Sequence, residues 1–155
     1  MAPWRIASAI TAFALIALYA GGANYWNKDY GWYQSLSKPS WQPPDFVFGI
    51  IWPYNFIVLG FALYAISTKA SPAIAAGTLT IFALSVFFAL RWSYLFYSPH
   101  DFAGSASALA VTAFLTFPIL IATFMTSWKI GIALLPYQIW IILAAALSAS
   151  YAARN

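Results

Sequence analysis

The chain has no cysteine. That excludes disulfides, thiol catalysis and thiolate metal sites, and it leaves the redox compartment open. It has one histidine, His100, so no multi-histidine metal site can be built within one chain. Charge is scarce. Only 6% of the 155 residues are charged, against roughly 25% in a soluble domain, so the chain reads as a membrane protein. There are three acids, Asp29, Asp45 and Asp101, and all fall in loops or at a helix start. An ion-coupled transporter needs an intramembrane carboxylate or histidine. General acid/base hydrolysis needs paired carboxylates. The chain offers neither. A serine triad would have to use His100, which sits in a polar turn beside Asp101 and reads better as a solvated loop residue. The net charge of +4 is spread thinly with no basic run, which argues against nucleic acid as a partner.

What is present is apolar and aromatic: 63% hydrophobic residues, 20% of the chain being Phe, Trp or Tyr. A membrane span needs about 20 mostly apolar residues. Five stretches qualify, at about Trp4–Gly22, Phe46–Ser67, Ala73–Tyr97, Ala103–Ser127 and Ile130–Ala153. The expected fold is therefore an all-α, multi-pass integral membrane bundle of five helices, a single domain over residues 1–155. The first stretch has the Arg5, apolar run and small residues of a signal peptide, but it is long enough to span and is taken as a span. Short links make consecutive helices among the last four antiparallel neighbours. Basic residues are nearly balanced between the two ends, so orientation and membrane stay open.

The exception to short links is roughly Ala23 to Pro44. Long loops in compact domains are functional or disordered, and the Trp and Tyr content here favours an ordered cap. Pro39, Pro43 and Pro44 stiffen it and remove three donors. Pro44 before Asp45 predicts a rigid helix start there, with the carboxylate in the first turn. We expect an aromatic lid, Trp32, Tyr33 and Trp41, running into a pocket wall at Trp52.

Within the spans, Pro53, Pro118 and Pro136 free the carbonyls of Gly49, Phe114 and Ile132, which should therefore face protein or a cavity. Tyr137, Trp140, Ala144 and Leu147 fall on one helix face. That face has room for a flat apolar ligand, although a plain helix–helix contact is the favoured reading. Arg91 has two readings: an anion partner such as a propionate, or a snorkelling side chain near a helix end, the latter favoured. Ala73/Gly77, Gly104/Ala108 and Ala145/Ala149 are small pairs at four-residue spacing, which suit close helix approach and a homodimer.

Trp32-Tyr33, Leu36, Lys38-Pro39, Trp41, Pro43-Pro44, Phe48 and Trp52 resemble the translocator protein family, also called tryptophan-rich sensory protein TspO or peripheral benzodiazepine receptor. Trp92-Ser93 with Phe96-Tyr97, and Pro136-Tyr137 with Trp140, Ala144 and Leu147, extend the resemblance from about Trp32 to Leu147. It implies a five-helix bundle, usually homodimeric, whose first loop covers a pocket for porphyrins, heme-related tetrapyrroles and synthetic isoquinoline or benzodiazepine ligands. Animal members also bind cholesterol, and some bacterial members are credited with light-dependent porphyrin breakdown. Carried over by position, the pocket includes Tyr33, Pro43, Trp52, Trp140 and Ala144. With the residues singled out above, the candidate ligand site is Trp32, Tyr33, Trp41, Pro43, Trp52, Asn55, Ala89, Trp92, Tyr137, Trp140 and Ala144. Trp52 and Trp140 are the candidates for tetrapyrrole chemistry, with no cofactor required.

The family's usual Asn and Gln ahead of the third-span Trp are Ala89 and Ser85 here, and its Leu-Asn is Leu147-Ser148. The two asparagine amides, at Ala89 and Ser148, are thus absent, and Asn55, one turn from Trp52, stands as a substitute. Leu147, Tyr151 and Arg154 also fit a proposed cholesterol pattern of low specificity, whose plainer reading is an interfacial tyrosine and a snorkelling arginine. The functional expectation is a membrane sensor or carrier for porphyrin-like and possible sterol ligands. The alternatives are a light-dependent porphyrin-degrading enzyme and a ligand-independent dimeric scaffold.

Overall fold

The computed structural model describes residues 2–155. It contains helices α1 (Pro3–Ala23), α2 (Tyr30–Ser35), α3 (Asp45–Lys69), α4 (Pro72–Tyr97), α5 (Phe102–Thr126) and α6 (Trp128–Arg154). All but α2 are long and apolar enough to cross a membrane. The five expected spans are present, each a residue or two from its expected ends. The chain is an integral multi-pass membrane protein.

The ends follow from local chemistry. Pro3 opens α1 and Pro72 opens α4, where a missing N–H costs nothing. Ser71 caps α4 through the Ile74 amide, and Asp101 caps α5 by accepting from the Gly104 amide at 2.8 Å. α3 begins at Asp45 directly after Pro44, as expected. Single-residue and two-residue links join α5 to α6 and α3 to α4. The turn between α4 and α5 passes through His100 at φ 59°, a left-handed backbone that histidine tolerates better than most residues.

Around the bundle the order is α3, α1, α4, α5, α6, closing back on α3. Consecutive packing holds for α4–α5–α6. It does not hold for α3 and α4, which touch sparsely because α1 lies between them. The link Ala70–Ser71 brings their ends together but does not hold them side by side along their length. Tyr19 of α1 fills the gap, its ring edge-on to Trp52 at 5.9 Å and Phe56 at 5.3 Å. On the other side Ser93 donates to the Ala23 carbonyl at 2.9 Å and pins the end of α1 to α4.

The core joins Tyr19, Leu59, Leu63, Phe82, Tyr137 and Ile141. The outer face carries Ile50, Phe61, Phe114 and Met125, each at least 63% exposed, which only a hydrocarbon solvent or another chain accommodates. The buried threonine hydroxyls of α5 are satisfied locally. Thr112, Thr116 and Thr123 donate to carbonyls three or four residues back on α5. Gln138 donates to the Ala113 carbonyl at 3.0 Å and ties α6 to α5.

The prolines behave differently from one another. Gly49 and Pro53 line a cavity, as expected. Phe114 and Ile132 instead lie on the outer face, where the single chain gives them no covering protein. Their positions are set by the neighbouring core residues, Ala113 and Gln138 among them, which take the inward side. Close to Pro136, the Ala133 carbonyl accepts from the Tyr54 hydroxyl at 2.7 Å and joins α3 to α6.

At the α5–α6 hairpin, Gly131 lies against the Phe124 ring, and a Cβ there would sit 2.6 Å from two ring carbons. Gly131→Val should therefore cost about 2 kcal/mol through overpacking. Thermal unfolding followed by intrinsic fluorescence in detergent measures it, and an unchanged midpoint would show that the ring moves freely aside.

Candidate functional site

A cavity of about 560 Å³ opens among α1, α3, α4 and α6 beneath the 24–44 loop. Its size falls within the usual range for small-molecule sites. The walls come from helix periodicity. Gly49, Trp52, Pro53 and Phe56 are spaced by three and four residues along α3. Trp92 and Phe96 do the same on α4, and Trp140, Ala144, Leu147, Ser148 and Tyr151 on α6. Ala20 and Ala23 of α1 supply a side without bulk. Asn24, Asn27, Tyr30 and Asp45 place polar groups among the lining residues, all of them on or beside the loop. The interior is therefore aromatic and the mouth polar.

Aromatic edges lock the walls. Phe48 packs edge-on against Trp140 at 5.1 Å, and Trp52 stacks on Phe56 at 5.7 Å. The Trp92 indole donates to Ser148 at 3.1 Å, and Ser148 lies 3.3 Å from Ser105 of α5. Ser148, which stands where an amide was expected from the family pattern, thus holds a wall tryptophan in place. The Trp140 indole nitrogen finds no partner among the described residues.

The loop is an ordered lid, and it contains the short helix α2, which hydrophobic periodicity did not reveal. Asp29 caps α2 through the Trp32 amide at 2.9 Å. Asp45 accepts from Tyr30 at 3.2 Å and from Gln34 at 3.1 Å, which holds α2 to the start of α3. The Asp45 carboxylate pushes the Tyr30 phenol above its ordinary pKa, because the hydrogen bond favours the neutral donor. Tyr151 donates to Gln42 at 2.5 Å, and Gln42 donates to Tyr33 at 3.2 Å. Asn155 grips the lid backbone at both Ser37 N (2.9 Å) and Ser37 O (3.3 Å). Trp32 stacks on His100 at 4.0 Å and 14°. His100 is exposed, as a loop histidine should be, but its ring face is occupied.

Of the candidate ligand residues, Tyr33, Trp52, Trp92, Trp140 and Ala144 line this cavity. The others do not. Trp32 anchors the lid to the α4–α5 turn. Trp41 is 47% exposed on the outside of the lid, and Pro43 is a half-buried part of the loop. Asn55 and Ala89 are buried in the helix packing, and Tyr137 is buried against Tyr19 rather than open to the cavity. Leu147 and Tyr151 face the cavity and are 7% and 2% exposed, so they present no lipid-facing sterol surface. The interfacial reading of Tyr151 fails for the same reason. Arg154 bonds Ser150 at 3.2 Å. Arg91 does not line the cavity, so its role as a propionate partner there is set aside. Phe56 and Gly49 lie one turn from Trp52 and were reachable by spacing. Asn24 and Asn27 belong to the loop and carry no periodic signal.

The fold and site define a class: a five-span membrane bundle with an aromatic cavity under a hydrogen-bonded lid. The chain matches the TspO/MBR family over residues 8–154 and belongs to it. It is 29% identical to Protein CrtK of Rhodobacter capsulatus over 77% of this chain and 75% of that one. It is 29% identical to the tryptophan-rich protein TspO of Chlorobaculum tepidum, covering 86% and 85%. With the translocator protein of Sus scrofa the identity is 24%, covering 94% and 88%.

The lid contacts are separable from the walls. Asn155→Ala and Gln42→Ala should each loosen the lid, because each removes hydrogen bonds worth about 1 kcal/mol apiece. Hydrogen exchange of amides 24–44 should rise about fivefold or more, with the helices protected as before. Equal exchange in both variants would mean that the latch does not hold the lid.

Proposed function

We propose that this protein is a membrane sensor or carrier that binds a porphyrin or related flat tetrapyrrole between Trp52, Trp92 and Trp140. The observation that carries the reading is the cavity itself, with three indoles among its lining residues and its one carboxylate, Asp45, on the lid side. Such a site favours a large planar apolar body through burial and offset stacking. Lys38, held over the Tyr33 ring at 4.4 Å, offers a cation at the lid for a ligand carboxylate. Binding by burial and stacking needs no general acid or base. Isoquinoline- or benzodiazepine-like molecules suit the same aromatic walls. A homodimer fits the open surface at Ala73 and Gly77 on α4, where a Cβ on Gly77 would touch nothing within 4 Å.

Dark titration of the nanodisc-embedded protein with protoporphyrin should give saturable tryptophan quenching. Trp52→Phe and Trp140→Phe should each weaken binding by about fivefold, the worth of one good aromatic contact. Unchanged affinity in both variants would remove the ligand from this cavity. Absence of any saturable quenching would favour a ligand-independent scaffold.

The second reading, light-dependent breakdown of the bound porphyrin, is favoured by the same three indoles, which lie where an excited ring could exchange an electron with them. Free porphyrin also bleaches, so product identity decides. Illumination with protein should yield products absent from free porphyrin and lost in Trp52→Phe or Trp140→Phe. Identical products with and without protein would end this reading.

A further inference from the structure

Three indoles line the cavity, and they differ in what lies behind them. Trp140 meets Phe48, whose ring resists oxidation. Trp52 meets Phe56 and Tyr19, and Tyr19 is closed inside the core. Trp92 is backed by Phe96 at 5.9 Å and by Tyr97 at 6.3 Å. Both of those rings also pack against Trp32, at 5.8 and 6.1 Å. A single ring therefore separates the cavity indole Trp92 from Trp32 of the lid, by two parallel routes. Trp32 is not part of the cavity lining. It lies half-buried in the lid, with the exposed His100 ring stacked on it at 4.0 Å.

An indole readily loses a single electron, whereas a phenol must release its proton as it does so. The two indoles hold the resulting positive charge at different cost. The Trp92 N–H donates to Ser148 at 3.1 Å, and a hydroxyl is too weak a base to take the proton. An oxidised Trp92 therefore stays charged in an aromatic wall, where charge is poorly solvated. At Trp32 the charge is met by water at the lid, and the indole proton can leave to that water. An electron vacancy on Trp92 thus runs downhill to Trp32, with Phe96 and Tyr97 as bridges and not as stops.

We propose that Trp92, the Phe96 and Tyr97 bridges and Trp32 form an electron-transfer route, which carries the oxidising equivalent of a photoexcited ligand from the cavity wall to the lid surface. The proposal rests on the light-dependent reading of the cavity. Trp92 gives one electron to the excited ring, and dioxygen takes that electron on, giving superoxide. One electron from Trp32 then restores Trp92 with its N–H bond intact. The oxidised Trp32 releases its indole proton to water and is left as a neutral radical. A soluble one-electron reductant such as ascorbate returns an electron and a proton to it. The net change is one electron from reductant to dioxygen, with one proton released to water. Without reductant, the Trp32 radical combines with superoxide and a proton, and its indole gains a hydroperoxide. The route spares the indoles that hold the ligand and moves the damage to where the lid meets water.

The test fixes a photo-oxidant in the cavity and so does not depend on porphyrin binding. The chain has no cysteine, so Ala20→Cys, in the cavity lining, takes a maleimide-linked flavin at one place. After illumination of the nanodisc-embedded protein in air, peptide mass spectrometry locates the oxygen added to each indole. Trp32 should gain more than Trp41, although Trp41 is the more exposed of the two. Adding Trp92→Phe should abolish the gain at Trp32 and leave Trp41 unchanged, which separates electron transfer from oxygen species that diffuse out of the cavity. Adding Trp32→Phe instead should move oxygen onto Trp92, and this variant decides should Trp92→Phe fail to fold. Equal oxidation of Trp32 and Trp41, or Trp32 oxidation that persists in Trp92→Phe, would overturn the route. So would unchanged Trp92 oxidation in Trp32→Phe. Protoporphyrin with the unlabelled protein tests the other reading separately. Oxidation of Trp32 by the tethered flavin but not by protoporphyrin supports the route and removes the light-dependent porphyrin reaction.

Discussion

Hydrocarbon offers no hydrogen bonds, so every backbone group that enters it must find a partner within the protein. Five continuous helices meet that demand, and the side chains then inherit it. Threonines on α5 return their hydroxyls to the preceding turn. Gln138 finds the Ala113 carbonyl and Tyr54 the Ala133 carbonyl. Acids are confined to one end of the bundle, where water is available, and there all three act as acceptors for the lid and its flanking helix starts. The polar chemistry of the molecule is thus concentrated at the lid, and the aromatic chemistry just beneath it.

The cavity depends on where α1 goes. Had α3 and α4 packed along their whole length, Trp52 and Trp92 would face each other with no space between. With α1 in the gap, Tyr19 fills the lower part and the small residues Ala20 and Ala23 leave the upper part open. The change from tyrosine to alanine within a single turn of α1 marks the boundary between packed core and cavity. Pro53 lies at the same boundary on α3, next to Trp52, with the cavity-lining Gly49 one turn away.

Much of this was legible in the sequence because it is periodic or local. Span lengths, the helix start at Asp45 and the shared face of Trp140, Ala144 and Leu147 follow from counting. The position of α1 does not, because helix order around a bundle is a long-range property that a two-residue link cannot dictate. The lid was legible as an aromatic, proline-stiffened loop, but not which rings turn inward. Tyr33 faces the cavity, while Trp32 goes to His100 and Trp41 to the outside. That sorting depends on α2, a six-residue helix too short for periodicity to reveal, and on Asn155 gripping Ser37 from 118 residues away. Leu147 and Tyr151 matched a surface pattern yet lie inside, because the pattern records residue types and not the face on which they fall.

Asn55, Ser67, Tyr19, Tyr137, Gln138 and Trp140 each bury a polar atom with no hydrogen-bond partner among the described residues. Such an atom costs about 1–3 kcal/mol. An apolar core of the same shape would avoid that cost. Ser67, near the far end of α3, and Gln138, against α5, stand apart, but the other four are grouped. Tyr19 contacts the ring of Trp52, Tyr137 is buried in the same cluster, Asn55 follows Trp52 by one turn, and Trp140 is itself a wall. Sequences depart from local optimality mainly at functional sites. Four of these six residues therefore gather where the cavity does, around Trp52 and Trp140.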